Sequence, residues 1–348
     1  MPEASAPGKL VIVGEYAVLE GAPAIAIAVD VRARASVLPA TGPDGVLIDP
    51  ISGEKFFFRV IGLDGLTWQG EGPGRRGTIL EAVMATIKER LPEIDRLPVF
   101  SVSLDTNSFY FRDHERSAKL GLGSSAAVLV ALVGALTSIL GLRLDNNEMR
   151  TFCCAAHRRF QAGQGSGIDV STSLLGGAIG MRVSRTQSGP DANRLTWPTG
   201  LFLLPIWSGH SASTTELLAR FTDFRQSCPE PFHKHLERLR NLAEMASAAW
   251  LEQSVVKVLD AISEYDVALR ALDSDASIGI ETRVHAHLRR LSERHGAIYK
   301  ISGAGGGDFG IAFADSERII ESVRKEVADE GFFVLDSALA VDGLTIVD

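Results

Sequence analysis

Residues 117–129, SAKLGLGSSAAVL, combine a cation, two glycines and two serines directly before an uncharged apolar run. The apolar run predicts a helix over 124–140, and Gly121 and Gly123 allow tight backbone turns just before it. A glycine-rich turn that leads into a helix presents free N–H groups and the positive end of the helix dipole. The segment therefore predicts a phosphate site, to which Lys119 adds positive charge.

Two common phosphate motifs do not fit this segment. Residues 121–126 match the loose dinucleotide pattern G-x-G-x-x-A, but that pattern needs a strand directly before it, and residues 111–119 are charged and typical of a loop. A Walker A loop requires the ending G-K-[ST], which the segment lacks. Two interpretations stay open: a different phosphate loop with a serine hydroxyl for Mg²⁺, or a plain connection between a strand and a helix.

Three further segments carry groups suited to phosphate chemistry, although each also has an ordinary structural explanation. Lys9 begins an apolar strand, where it can pair with an anion or simply reach solvent. Asp169 follows a glycine turn at the start of a short apolar helix, where the dipole alone favours a carboxylate. Residues 300–308, KISGAGGGD, hold four glycines in five positions and allow close backbone approach to a ligand or to another loop.

Composition limits the class of protein. A chain of 348 residues with 45% hydrophobic and 22% charged residues predicts a globular protein of two domains or one large one. The net charge of −8 argues against nucleic acid as the main partner. Cys153, Cys154 and Cys228 do not form a disulfide framework, which favours a reducing compartment.

Two features bear on membranes and targeting. The N-terminus lacks the basic and apolar regions of a signal peptide. Residues 120–142 are uncharged and long enough to span a bilayer, but glycine, serine and threonine dilute the run and no second such segment exists, so a buried helix is favoured. We therefore expect a cytoplasmic protein without a membrane partner.

The coarse pattern of elements favours an α+β fold. Strands are expected at 9–13, 24–31, 99–104, 201–206, 297–301, 309–313, 332–337 and 343–347, with antiparallel strands and turns in 32–62. Helices are expected at 78–91, 124–140, 146–162, 168–176, most of 214–295, and 316–330. Asp145 or Asn146 is a candidate N-cap of the helix at 146–162, and the turn-rich stretch 185–200 is the candidate domain boundary.

The four chemistry-bearing segments together, in this order and spacing, resemble the GHMP kinase superfamily over residues 6–314. The first motif matches 6–18, and the third matches 300–310. The phosphate motif P-G-x-G-L-G-S-S-A-x matches 119–127, with Ser-Ala-Lys-Leu in place of the usual Pro-Gly lead. The resemblance implies a mixed sheet with helices in an ATP-binding domain, residues 1–190, and a ferredoxin-like α/β domain, residues 191–348, with ATP and acceptor bound between them.

Within the superfamily the chain most resembles the phosphomevalonate kinases. Tyr16 stands where mevalonate kinases more often have His, and Arg158 stands where they have a Glu that helps to bind Mg²⁺. Gln164 replaces a Lys that is frequent in phosphomevalonate kinases. The resemblance implies ATP-dependent phosphorylation of 5-phosphomevalonate in isoprenoid precursor synthesis. Mevalonate kinase, another small-metabolite kinase of the superfamily, a decarboxylase relative and a catalytically silent binding protein are the alternatives.

The resemblance also implies roles for individual residues. Lys9 is expected to neutralise charge on the transferring group, and Asp169 to orient the acceptor or accept its proton. The expected ATP contacts are Lys119, Gly121, Leu122, Gly123, Ser124, Ser125 and Ala126, with Asn107 and Ser108 as further nucleotide contacts and Ser125 on Mg²⁺. The expected acceptor contacts are Lys9, Tyr16, His157, Arg158, Ser166, Gly167, Asp169, Ser302, Gly303, Ala304 and Gly305. The partner is then a small molecule, and the protein a monomer or homodimer.

Overall fold

The structure is a computed structural model that describes residues 2–61, 65–91, 97–113, 116–163, 165–183, 190–336 and 339–347. Gln164, most of the first half of the predicted boundary at 185–200, and position 337 of the predicted strand at 332–337 lie outside these residues. The expectations for those positions stay predictions.

A mixed sheet, nine strands in the described part of the chain, forms the frame of the N-terminal half. Its strands are β1 (Glu3–Val13), β2 (Pro23–Pro39), β3 (Gly45–Ile48), β4 (Lys55–Ile61), β5 (Gly65–Trp68), β6 (Phe100–Asp105), β9 (Ala178–Arg182), β10 (Asp191–Leu195) and β14 (Thr345–Val347). The order is β10-β9-β2-β6-β3-β4-β5, and β1 pairs with β2 and β14. Only the β3–β6 pairing is parallel among those described, so most of the sheet is built from antiparallel neighbours.

Strand β1 carries the first functional segment to the centre of the molecule. Its pairing register with β2 shifts between Pro7 and Gly8. Bulges of this kind bend a strand and re-aim its side chains. Beyond the shift, the backbone N–H of Lys9 donates to the carbonyl oxygen of Leu122 at 2.9 Å, which ties the strand directly to the glycine-rich loop.

Four helices cover the sheet in this half: α1 (Arg75–Arg90), α2 (Ser124–Ile139), α3 (Asn146–Phe160) and α4 (Ile168–Leu175). Helix α2 is buried almost all round, from Ala126 to Thr137, and packs against β1 and β2. The uncharged run is therefore a core helix, as predicted. Among the described helices, none has the length and apolarity needed to cross a membrane.

The start of α3 was predictable from its local chemistry. The side chain of Asp145 accepts bonds from the backbone N–H groups of Asn147 and Glu148, and Glu148 returns one to the N–H of Asp145. This reciprocal arrangement is a capping box. Cys153 and Cys154 on the same helix are buried free thiols, so neither takes part in a disulfide.

The segment before the glycine-rich loop differs from expectation. Residues 111–119 are not a plain loop, because β7 (Tyr110–Arg112) pairs with β8 (Ser117–Lys119) in a separate two-stranded hairpin. Strands of three residues are too short to produce a visible alternation of polar and apolar residues. The hairpin lies outside the large sheet, so the loop still does not follow a strand of the kind that a dinucleotide fold requires.

The C-terminal half is built on an antiparallel sheet of β11 (Phe202–Trp207), β13 (Phe309–Ala314) and β12 (Ile298–Ile301), in the order β11-β13-β12. Its helices are α5 (Thr214–Ser227), α6 (Pro229–Leu251), α7 (Val255–Ala276), α8 (Arg283–Arg294) and α9 (Glu317–Asp329). The strand predicted at 332–337 is wrong over its described residues, where Val334 forms a single bridge to Ile206 at the sheet edge. The α+β class itself is confirmed.

The two halves are joined by chain crossings and by buried bonds. Strands β10 and β14 both follow residue 190 in sequence but belong to the large sheet. The N–H of Val11 donates to the hydroxyl of Ser302 at 2.8 Å, and the hydroxyl of Tyr265 donates to the carbonyl of Glu15 at 2.7 Å. The division of the chain near residue 190 stays a prediction, since elements from beyond that point complete the first sheet.

Candidate active site

The glycine-rich loop turns sharply before α2. Gly121 and Gly123 have φ values of 76° and 77°, the left-handed region that glycine adopts without a steric penalty. Gly123 is the residue that caps α2, so the first N–H groups of the helix open at the end of this loop. The arrangement is that of an anion site at a helix N-terminus.

Lys9 and Asp169 meet beside this loop. The Nζ of Lys9 lies 3.5 Å from the Oδ1 of Asp169, and their side chains are 13% and 30% exposed. A Cβ on Gly123 would lie 3.3 Å from the Cγ of Lys9 and 3.7 Å from the Oδ2 of Asp169. Strand β1, helix α4 and the loop thus bring a cation, a carboxylate and the helix end to one place.

A cavity of about 330 Å³ opens at this pair, and we call it the acceptor cavity. Lys9, Tyr16, His157, Ser166, Gly167, Asp169, Gly303 and Ala304 are the predicted residues that line it. The C-terminal half contributes Thr214 and Thr215 from the first turn of α5, and the N-terminal half adds Arg75, Phe160 and Gln161. The cavity is therefore formed by both halves of the chain.

A second cavity, of about 360 Å³, is lined by Ser124, Ser125 and Val128 of α2, and we call it the nucleotide cavity. Asn107, Lys119, Ser124 and Ser125 are the predicted residues in its lining. Arg75 and Phe160 line both cavities. These two side chains therefore mark the boundary between them.

The third glycine motif is held against β1 by buried polar contacts. The hydroxyl of Tyr16 donates to the carbonyl of Ala304 at 2.6 Å. The Oε1 of Glu15 accepts from the Nζ of Lys300 at 2.5 Å and from the N–H of Gly303 at 3.2 Å. Glu15 and Lys300 are 3% and 1% exposed, so this ion pair is shielded from water. Its bonds fix the wall of the acceptor cavity opposite α4.

His157 connects the two cavities through Ser125. Its Nε2 lies 3.4 Å from the Oγ of Ser125, and burial lowers its pKa, so the ring is neutral near pH 7, although Asp169 acts in the opposite direction. A neutral imidazole can donate to or accept from the serine hydroxyl. His157 therefore orients the hydroxyl that was predicted to contact Mg²⁺.

Some predicted site residues lie outside both linings. Ser302 accepts a bond from β1, Gly305 packs against Ile280, and the hydroxyl of Ser108 donates to the carbonyl of Arg32. Leu122 and Ala126 are buried in the core, and Ala126 donates its N–H to the carbonyl of Gly123. Arg158 lies on α3 but lines neither cavity. Apart from Arg158, these residues support the site or lie behind it, because their side chains or N–H groups already have other contacts.

Asp308, at the end of the third glycine motif, is a site residue that our sequence analysis did not select. Its Oδ1 accepts from the N–H of Ala212 at 3.2 Å, and its carboxylate packs against the backbone of Gly121. Burial raises the pKa of Asp308 to about 6, while Ala212, Lys9 and Lys119 act in the opposite direction. The only sequence signal was its place directly after Gly307.

Arg75 and the two threonines of α5 were also missed. Arg75 is far in sequence from every motif, so no local pattern indicates its role. The threonines follow Ser213, whose side chain caps α5, and the pattern Ser-x-x-Glu over 213–216 was an available signal for a helix start there.

The donor set fits a metal that arrives with a nucleotide. Within the residues that the structure describes, no group of three or more His, Cys, Asp or Glu side chains could hold a metal ion alone. Mg²⁺ bound with a nucleotide takes phosphate oxygens and waters and needs only one or two protein oxygens. The hydroxyl of Ser125 and the carboxylate of Asp169 flank the helix end that would hold the phosphates.

The chain is similar to known kinases along nearly its whole length. Residues 81–177 match the family described as GHMP kinases N terminal domain. The phosphomevalonate kinase of Streptomyces sp. (strain CL190) is 30% identical, over 97% of this chain and 97% of that protein. The mevalonate kinase of Pyrococcus abyssi is 28% identical, over 99% and 97%.

The structural comparison supports the same fold. The structure of Streptococcus pneumoniae phosphomevalonate kinase in complex with phosphomevalonate and AMPPNP matches with a TM-score of 0.78 at 20% identity, over 97% of this chain and 100% of that one. At that identity the match shows a shared fold. Together with the 30% identity along nearly the whole Streptomyces enzyme, it leads to one conclusion: the chain belongs to the GHMP kinase family and is a kinase.

Proposed function

We propose that this kinase transfers the γ-phosphoryl group of ATP to 5-phosphomevalonate, giving 5-diphosphomevalonate and ADP. The observation that carries the proposal is a pair of cavities that share Arg75 and Phe160 in their linings: Ser124 and Ser125 at the start of α2 line one, and the Lys9–Asp169 pair lines the other. The relationship to the Streptomyces phosphomevalonate kinase supports this acceptor. Tyr16 and Arg158, which stand where mevalonate kinases more often have other residues, point the same way.

The donor phosphates are assigned to the N–H groups at the start of α2 and to Lys119. An oxygen of the acceptor phosphate forms the new bond to the γ-phosphorus while the bond to the β–γ bridging oxygen breaks, and ADP leaves with that electron pair. Transfer of this kind depends mainly on positioning and on charge neutralisation. Lys9, at the rim of the loop, neutralises charge on the group in transfer.

Asp169 has a modest task when the acceptor is a phosphate. A phosphate monoester has a second pKa near about 6 and is largely dianionic at neutral pH, so it needs little help to lose a proton. Asp169 then holds Lys9, 3.5 Å away, and orients the acceptor. With a hydroxyl acceptor the same carboxylate would have to accept a proton, and its removal would cost more.

Mg²⁺ is assigned to the hydroxyl of Ser125, with Asp169 as the neighbouring carboxylate. When bound, the ion neutralises negative charge on the donor phosphates. The role of this chain is to present the serine oxygen, which His157 orients from 3.4 Å.

Mevalonate kinase activity is the second candidate, favoured by the 28% identity to the Pyrococcus enzyme over nearly the whole chain. The deciding experiment measures ADP release by the purified protein with ATP and Mg²⁺ and either phosphomevalonate or mevalonate. We expect turnover with phosphomevalonate and little with mevalonate. Turnover with mevalonate alone would overturn the proposal, and ATP binding without turnover on any acceptor would favour a silent binding protein.

A further inference from the structure

One cation stands at the boundary where the proposed reaction must bring two phosphate groups together. Arg75, the first residue of α1, lines the acceptor cavity and the nucleotide cavity. Its guanidinium carbon lies 5.5 Å from the centre of the Phe160 ring, which is the other side chain shared by both linings. The stacking holds the head group at the boundary.

Arg75 forms no ion pair with any carboxylate in the part of the chain that the structure describes. Within the described residues, no carboxylate oxygen lies within 4.0 Å of its side chain. The neighbouring Arg76 is paired with Asp49, and Lys9 is paired with Asp169. Of the two lysine and arginine residues described in the lining of the acceptor cavity, Lys9 and Arg75, it is therefore Arg75 that remains available for an anionic ligand.

The start of a helix is a weakly unfavourable place for Arg75, whose side chain is exposed. Cations are disfavoured in the first turn of a helix, and the first turn of α1 contains two arginines, no acidic residue and no capping side chain. Arg75 also acts on Lys119, whose pKa is lowered by burial and then by this guanidinium. Arg75 thus lies at the positive end of a helix and acts on a second cation. Placements that local electrostatics disfavours are typical of functional sites.

We propose that Arg75 binds the phosphate group of the acceptor and makes the site select a phosphorylated acceptor over the corresponding alcohol. This inference rests on the proposed function. A guanidinium can hold two oxygens of a phosphate at once through parallel N–H donors. The donor phosphates already have the start of α2 and Lys119, whereas the other described lysine or arginine in the lining of the acceptor cavity is Lys9, which Asp169 engages.

The proposal also accounts for the placement of Arg158 and for the sequence departure at position 164. Arg158, the other candidate for the acceptor phosphate, lines neither cavity, and position 164 carries Gln in place of the Lys that is frequent in the resembling enzymes. Arg75 reaches the same cavity from a different helix. Arg75 thereby supplies the positive charge for the acceptor phosphate in place of Arg158 and of a lysine at position 164.

The test compares Arg75→Gln, Arg75→Lys and Arg90→Gln in steady-state kinetics with phosphomevalonate, mevalonate and ATP. Arg90 is exposed in the last turn of the same helix, so its substitution removes an equal charge about 20 Å away. We expect Arg75→Gln to lower kcat/KM for phosphomevalonate by about 10- to 100-fold, mainly through KM. Its KM for ATP is expected to change less than about 3-fold, and its activity on mevalonate to stay at the wild-type level.

The lysine variant separates charge from geometry. Arg75→Lys keeps the charge but loses the paired donors, so we expect an intermediate loss, while Arg90→Gln behaves as the wild type. An unchanged KM for phosphomevalonate in Arg75→Gln, or an effect confined to ATP, would overturn the inference and leave the proposed function intact. A wild-type protein that phosphorylates mevalonate but not phosphomevalonate would overturn both.

Discussion

The carboxylate of Asp308 occupies the space in which a Cβ atom of Gly121 would stand. The two residues belong to different glycine motifs, 187 positions apart, and to different halves of the chain. The phosphate loop of the N-terminal half therefore has its shape set by a side chain of the C-terminal half. Their contact can be tested from either side.

Gly121→Ala is expected to distort the loop and weaken ATP binding. The new Cβ collides with Asp308, and φ of 76° is itself unfavourable for alanine by about 1–2 kcal/mol. Gly141→Ala is the matched control, because Gly141 has φ of 65° and an added Cβ there would meet no atom within 4 Å. We expect a larger fall in unfolding free energy and a higher KM for ATP with Gly121→Ala than with the control.

A second substitution checks the cause of that effect. Asp308→Ala removes the obstructing carboxylate, so the double variant with Gly121→Ala should recover part of the loss that the single Gly121→Ala change produces. Equal losses in Gly121→Ala and Gly141→Ala would show that backbone conformation alone is responsible.

Asp308→Asn is expected to make the protein more stable at neutral pH. Burial raises the pKa of Asp308 to about 6, so the native state holds its proton more tightly than the unfolded state, and the wild type loses stability as pH rises from about 4 to about 6. Above pH 6 the variant should exceed the wild type by about 3 kcal/mol, and near pH 4 the difference should vanish. Urea unfolding at both pH values measures this, and a constant difference would contradict it.

His285→Gln is expected to show the opposite dependence. His285 is fully buried between the hydroxyl of Tyr299 at 2.8 Å and the carbonyl of Gly307 at 2.9 Å. Burial lowers the pKa of His285 to about 4, so the unfolded state takes up the proton first as pH falls below about 6.5. The wild type should lose up to about 3 kcal/mol between pH 6.5 and pH 4 from this group.

The glutamine variant lacks that titration but can still donate to Gly307. We expect it to be less stable than the wild type at pH 7.5 and to lose less stability on acidification. The measurement is urea unfolding at several pH values, and parallel pH profiles for the two proteins would show that His285 is not the titrating group.

Asp169→Asn and Lys9→Met test the pair at the loop. With phosphomevalonate, Lys9→Met should lower kcat by about 100-fold or more, because Lys9 neutralises charge on the group in transfer, whereas Asp169→Asn should cost only about 10-fold, because this acceptor needs little help to lose a proton. The double variant should lose less than the product of the single effects, because the two groups act together. Unfolding free energy serves as the control and should change by no more than about 1 kcal/mol, since the pair is partly exposed. A near-normal rate for Asp169→Ala would remove the carboxylate from the mechanism.

The sequence was sufficient to predict features that depend on residues close together along the chain. Helix α2 followed from an uncharged run after two glycines, and the start of α3 from Asp145 or Asn146 as candidate N-caps, of which the structure has Asp145. Lys9 and Asp169 could be selected because each lies in a recognisable motif. The distance of 3.5 Å between the two side chains could not be predicted from the sequence, because it depends on how β1 and α4 pack.

Residues that act across long sequence separations escaped prediction. Arg75 has an ordinary helical sequence around it and becomes notable only where two cavities meet. Residues 332–336 are apolar enough for a strand, yet only Val334 bridges the sheet edge, while Phe332, Phe333 and Leu335 pack into the hydrophobic core. Apolar composition at such positions predicts that the side chains are buried. It does not predict the backbone hydrogen bonds, which depend on tertiary contacts.

The buried Glu15–Lys300 pair bears on whether the halves can exist apart. Separation would leave each charge buried without its partner or expose it together with the surrounding apolar wall, and breaking such a pair costs about 3–5 kcal/mol. The bonds of Ser302, Tyr265 and Ala304 would be lost at the same time. The chain is therefore expected to unfold in one cooperative transition, and neither half to persist as an independently folding fragment.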